Sequence, residues 1–229
     1  MKQFLQALSG RAEFLIVVLG SIGVYLLSNF AVLLDPQIAN EAQPLGNETL
    51  VGMLIYEGFV LLWLGTFMKL RGWTRERLGF APALRDTAIG ILLALAIFGL
   101  RWIIDVIVGS VAPGFLEAAE KLETVSGVLD MRAVVLVSLI DPLFEELFMC
   151  AYVISALKEK RGPAFALNVS VGLRVACHLN EGAYGVLTIG PLALLFGYWY
   201  LRSGRIWPLL VAHAVLDFVG LVALGSVDS

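Results

Sequence analysis

The chain is poor in what a soluble domain displays on its surface. Only 15% of its 229 residues are charged, against 59% hydrophobic, and its mean hydropathy is +0.86. Soluble domains run at about 45–50% apolar, so this balance excludes one and marks a membrane protein. Basic residues are also scarce. The net charge of −3 argues against a nucleic-acid partner, which would call for a basic face. Cysteine is limited to Cys150 and Cys177, both inside apolar runs, so a secretory disulfide framework is excluded and the two read as small buried hydrophobes. The Gly-x-Ser-x-Gly elbow of serine hydrolases is missing, and so is the helical His-Glu-x-x-His zinc pair. No internal repeat or low-complexity tract stands out.

What the chain does have is long apolar runs. About 20 apolar residues carry a helix across a bilayer. Runs at about 14–34, 50–70, 86–111, 132–157, 164–181, 184–201 and 205–225 predict an all-α, polytopic bundle of about seven spans. One transmembrane domain over 1–229 is expected, with peripheral helices at about 14–111 and a catalytic core at about 132–225. The first run exceeds the roughly 7–15 residues of a signal-peptide core and no small-residue cleavage site follows, so it reads as an uncleaved span. The connectors alternate in charge. Those with Lys2 and Arg11, with Lys69 to Arg85, with Lys158 to Arg161, and with Arg202 and Arg205 are basic. Those with Asp35, Glu41 and Glu48, with Glu117 to Asp130, and with Glu181 are not. This positive-inside alternation predicts a multi-pass protein of the cell membrane or an internal membrane, N-terminus cytoplasmic.

A charge near the bilayer centre costs about 3 kcal/mol, so ionisable residues at depth are functional candidates. Arg101 and Asp105, four apart near one end of a span, read as a structural pair, and Glu57 either pairs with Arg101 or lines a cavity. Three other runs differ in kind. The fourth holds Asp141 and Glu145 one turn apart, with Glu146 and Pro142 beside them. The fifth holds Arg174 and His178, and the seventh His213 and Asp217, each pair four apart. Alone, either histidine reads as interhelical glue worth roughly 0.6–2 kcal/mol. Adjacent carboxylates facing both of the chain's histidines read instead as a shared interior site.

Its chemistry follows from the donors. A desolvated carboxylate is a stronger base than a hydrated one, and imidazole polarises a carbonyl and steadies an oxyanion. Together these suffice for hydrolysis of a peptide bond by water. The same groups could hold zinc, with Glu145, His178 and His213 as the ligand candidates. No obligatory cofactor is favoured, because the usual zinc helix is missing. A small proton-coupled transporter would use the same residues, but its matching broken halves are not seen.

In this order, FEELFMC (Glu145, Glu146), RVACH (His178) and HAVLD (His213, Asp217) resemble the CAAX protease and bacteriocin-processing family of intramembrane endopeptidases. The flanking RERLGF and SGRIWPLLVAH resemble it too, and the likeness spans roughly 70–225. The resemblance implies that Glu145 activates water, that Glu146 and His178 orient it, and that His213 and Asp217 face the oxyanion. It implies a peptide or protein substrate in the membrane, such as a prenylated C-terminus, a secreted-peptide leader or another membrane protein. Two departures stand out. Cys150 occupies the family's Arg position and Arg174 its Phe position, so Arg174 is expected to supply the missing cation from the facing helix by pairing with Glu146. Without that replacement, the chain would be an inactive immunity or scaffold relative. One difficulty is height. Glu145 falls nearer the cytoplasmic side of its run and His178 nearer the outside, so the two meet only if the fifth span starts near Asn168 or Ser170 or the helices tilt. The connector residues Asn180 and Glu181 would then dip towards the cavity.

Overall fold

In lipid every backbone N–H and C=O must find a partner within the chain, and a run of apolar residues does so by becoming helix. The computed structural model describes residues 7–34, 45–120 and 125–225. Lys2, Asp35, Glu41, Lys121 and Glu123 lie outside them. The helices are α1 (Gly10–Leu34), α2 (Asn47–Leu70), α3 (Leu84–Val111), the short α4 (Pro113–Glu120) and α5 (Met131–Glu145). A π-helical segment, Glu146–Tyr152, runs straight on into α6 (Val153–Arg161). Then come α7 (Pro163–Cys177), a 3-10 turn (Leu179–Glu181), α8 (Gly182–Ser203) and α9 (Trp207–Gly225).

Five of these helices, α1, α2, α3, α8 with its preceding turn, and α9, are each long and apolar enough to cross a membrane. Leu27, Phe59, Leu62 and Leu92 remain largely exposed on them, as lipid-facing side chains must. The α5–α6 run is equally long, but its carboxylates lower its hydropathy. The protein is therefore an all-α, multi-pass membrane protein of about seven spans. The fifth span is shorter than the sequence suggests: α7 ends at Cys177 rather than near 181.

The α5–α6 run is the axis of the bundle. Its outer turns feed two cores at once. Phe148, Met149 and Tyr152 pack with Val17, Ile22 and Leu64, whereas Ala151 and Ile154 pack with Ala94, Phe196 and Leu209. The irregular segment begins just after Pro142, which removes a backbone donor from the run. Its loosened carbonyls are satisfied from neighbouring helices. Ser170 Oγ donates to the Met149 carbonyl at 2.7 Å, and the Tyr200 hydroxyl to that of Ala151 at 3.4 Å.

Gly162 turns the chain between α6 and α7 with φ 89° and ψ 159°, a region essentially reserved for glycine. Pro163 then opens α7 with the φ it requires. This hairpin removes the height problem without a late start for α7. Glu145 lies seventeen residues before Gly162 and His178 sixteen after it, so antiparallel packing brings them level. Gly162→Ala should accordingly destabilise the protein by about 1–3 kcal/mol, read as a lower melting temperature in detergent. An unchanged melting temperature would mean that the turn relaxes without strain.

Candidate active site

The site is assembled around one fully buried carboxylate. Glu146 Oε1 accepts from Arg174 Nη2 at 2.6 Å and from His213 Nδ1 at 2.8 Å. Arg174 is itself 2% exposed. Two charges removed from water recover their desolvation cost only through close, hydrogen-bonded geometry, and this pair has it. Three elements are joined at that oxygen: the π segment, α7 and α9. The same guanidinium stands 4.0 Å from Glu145 Oε2. Cys150, one turn beyond Glu146, is free, buried and faces both Glu146 and Arg174. The cation therefore enters from α7 into the space where Cys150 lies.

Each histidine is oriented by a carboxylate on one ring nitrogen. An ionised carboxylate only accepts, so Nδ1 of His213 carries the hydrogen toward Glu146 and Nε2 points the other way. There Nε2 lies 3.4 Å from Asp217 Oδ1 and 3.8 Å from Asp141 Oδ2. His178 is arranged likewise. Its Nδ1 is 2.7 Å from Glu181 Oε1, leaving Nε2 3.4 Å from Glu145 Oε1. Asp141, Glu145, Glu146, Arg174, His178, His213 and Asp217 thus form one cluster. Of these, Asp141, Glu145 and His213 offer ligand atoms all within 4.8 Å of one another. His178 is outside that group, so a divalent ion would meet Asp141 in its place.

Three further residues belong to the site. Glu57 is fully buried, with the Asp141 carboxyl beside it. Its charged neighbours are Asp141, Glu145, Asp217 and His213, so it joins that cluster rather than pairing with Arg101. Arg101 lies instead over the Tyr184 ring, whose hydroxyl donates to Asp105. Glu181 orients His178, as given above. Asn29 of α1 clamps the backbone on both sides of that histidine: Nδ2 donates to the Cys177 carbonyl at 2.9 Å, and Oδ1 accepts from the Asn180 amide at 2.6 Å. A single amide inside the apolar run of α1 was its only sequence signal.

Residues 127–219 match the family described as type II CAAX prenyl endopeptidase Rce1-like. The matched segment contains every site residue named above except Asn29 and Glu57. No curated protein and no solved structure matches the chain significantly.

The clamp yields a test. Asn29→Ala should lower kcat about 10–100-fold while changing KM little, since misplacing a catalytic group by an ångström costs that much. Equal kcat in the variant and the parent, measured on the same peptide, would remove Asn29 from the positioning apparatus.

Proposed function

We propose that the protein is a membrane-embedded peptide-bond hydrolase of the CAAX endopeptidase type, and that it cleaves a lipidated C-terminal peptide by water that Glu145 activates. The observation that carries the reading is the pairing of Glu145 Oε1 with His178 Nε2 across 3.4 Å, within the cluster of carboxylates and histidines. A water bound against this pair would give its proton to Glu145 and present its oxygen to the scissile carbonyl. His213 Nε2, on the opposite side of Glu146, is the donor available to the oxyanion when the ring is doubly protonated. Asp217 would hold that nitrogen's orientation, and Arg174 would keep Glu146 charged and still. Glu145, once protonated, is the group positioned to return the proton to the leaving amine.

The lipidated substrate is supported by a second cavity, of about 590 Å³, lined by side chains such as Phe80, Leu139, Leu143, Val211 and Phe218. Ser138 and Ala214 on its wall adjoin Asp141 and His213 on the same two helices. A prenyl chain in this groove would leave its attached peptide beside the catalytic cluster.

We favour a mechanism without an obligatory metal. Were zinc present, Asp141, Glu145 and His213 would hold it, and it would supply Lewis acidity to the carbonyl. One experiment covers both points. Glu145→Gln should abolish release of the terminal peptide from a farnesylated peptide in proteoliposomes, and a chelator should leave the parent's rate unchanged. Residual cleavage in Glu145→Gln would sink the glutamate base, and chelator sensitivity the metal-free form.

The origin of the cation has its own test. Arg174→Ala strips the buried Glu146 carboxylate of its guanidinium and leaves it only His213, a loss of roughly 3–5 kcal/mol, and should eliminate turnover. Adding Cys150→Arg should restore part of it. If the double variant is as inactive as the single one, Arg174 does not stand in for an arginine at Cys150.

A further inference from the structure

A second concentration of charge lies away from the catalytic cluster. A cavity of about 990 Å³ opens where the start of α1, the segment after α2 and the end of α6 meet. Arg11, Arg71, Arg77, Lys160 and Arg161 line it, against the carboxylates of Glu13 and Glu159. Glu13 is already engaged. It accepts from Arg71 Nε at 2.5 Å and from Trp73 Nε1 at 2.9 Å, beneath the Arg77 guanidinium that stacks 3.8 Å from the Trp73 ring centre. Arg11, Lys160 and Arg161 make no ion pair among the described residues. The cavity therefore carries a clear excess of positive charge.

One contact sharpens this. The Lys160 ammonium lies in the space that a Cβ on Gly10 would occupy. Gly10 is the first residue of the 25-residue α1, so a cation is set against the positive end of a long helix. An anion between them would reverse that repulsion. The other part of the wall is apolar, with Phe14 and Val169 beside Leu15 and Phe165, which are 58% and 48% exposed. Cations at one end and lipid-facing hydrocarbon at the other match an amphiphile, and free phosphate would leave the apolar part unused.

We propose that this cavity binds the phosphate headgroup of an anionic lipid, with an acyl chain lying along Leu15 and Phe165. Juxtamembrane lysine and arginine clusters attract anionic lipid by about 1 kcal/mol per cation. The site is separate from the catalytic one: Ser155 on its wall is nine residues past Glu146, about 13 Å along the helix. Its walls are the feet of α1 and of the α6–α7 hairpin. A lipid there would brace the hairpin that holds Glu145 level with His178.

The test uses the full chain in a neutral detergent, melted alone and with phosphatidylglycerol, phosphatidylcholine or inorganic phosphate. Phosphatidylglycerol should raise the melting temperature saturably, and phosphatidylcholine should not. In Lys160→Gln/Arg161→Gln the half-saturating concentration should rise about 25-fold, fivefold for each cation removed. Both side chains are exposed, so the variant should fold; if it melts lower without lipid, Arg11→Gln provides the same comparison with a fivefold expectation. An equal rise with inorganic phosphate alone would replace the lipid with a free anion. A variant that responds as the parent does, or a parent that does not respond, would overturn the site.

Discussion

The buried contact between Arg174 and Glu146 constrains everything around it. Neither charge could be left in lipid alone, so α7 must pack where its guanidinium meets the π segment. Because His213 donates to the same oxygen, α9 is held to the same point. One ion pair thus sets the relative positions of three elements, and it does so where the reacting groups must be spaced to within fractions of an ångström. Such a pair contributes little net stability compared with hydrophobic packing, but losing one partner is expensive. Its value lies in excluding other arrangements of the bundle.

The irregular backbone nearby follows from the same need. A helix of uniform pitch presents a residue to one face at every fourth position, whereas this site uses Asp141, Glu145 and Glu146 together. The wide turn that begins at Glu146 lets adjacent carboxylates serve one cavity, and Pro142 prepares it by withholding a donor. Carbonyls of this segment also accept from Ser170 and Tyr200, on helices that must be close anyway. At the other end of the hairpin, Asn29 performs the same service for the unwinding chain at His178. The first helix, which carries no catalytic group, thereby reaches into the site.

Much of this was legible in the residues. Charges are costly in lipid, so Asp141, Glu145, Glu146, Arg174, His178, His213 and Asp217 announced themselves by position alone, and i, i+4 spacing identified which pairs share a face. The compensating cation on α7 was expected too, but from the family resemblance, which places an Arg where this chain has Cys150 and a Phe where it has Arg174. Glu57 was harder. Its depth marked it, but only packing of α2 against α5 distinguishes a place beside Asp141 from a pairing with Arg101. Glu181 and Asn29 were harder still, since one lies in a connector and the other is a neutral amide.

The sequence by itself determined an all-helical membrane protein with a carboxylate and histidine cluster in its interior, because hydropathy and helical periodicity are local properties that the solvent enforces. The tertiary structure alone decided the heights and partners: that α7 stops at Cys177, that a tight turn at Gly162 levels Glu145 with His178, and that one oxygen of Glu146 receives both Arg174 and His213. Those depend on how residues far apart in the chain share space, and no local rule carries that information.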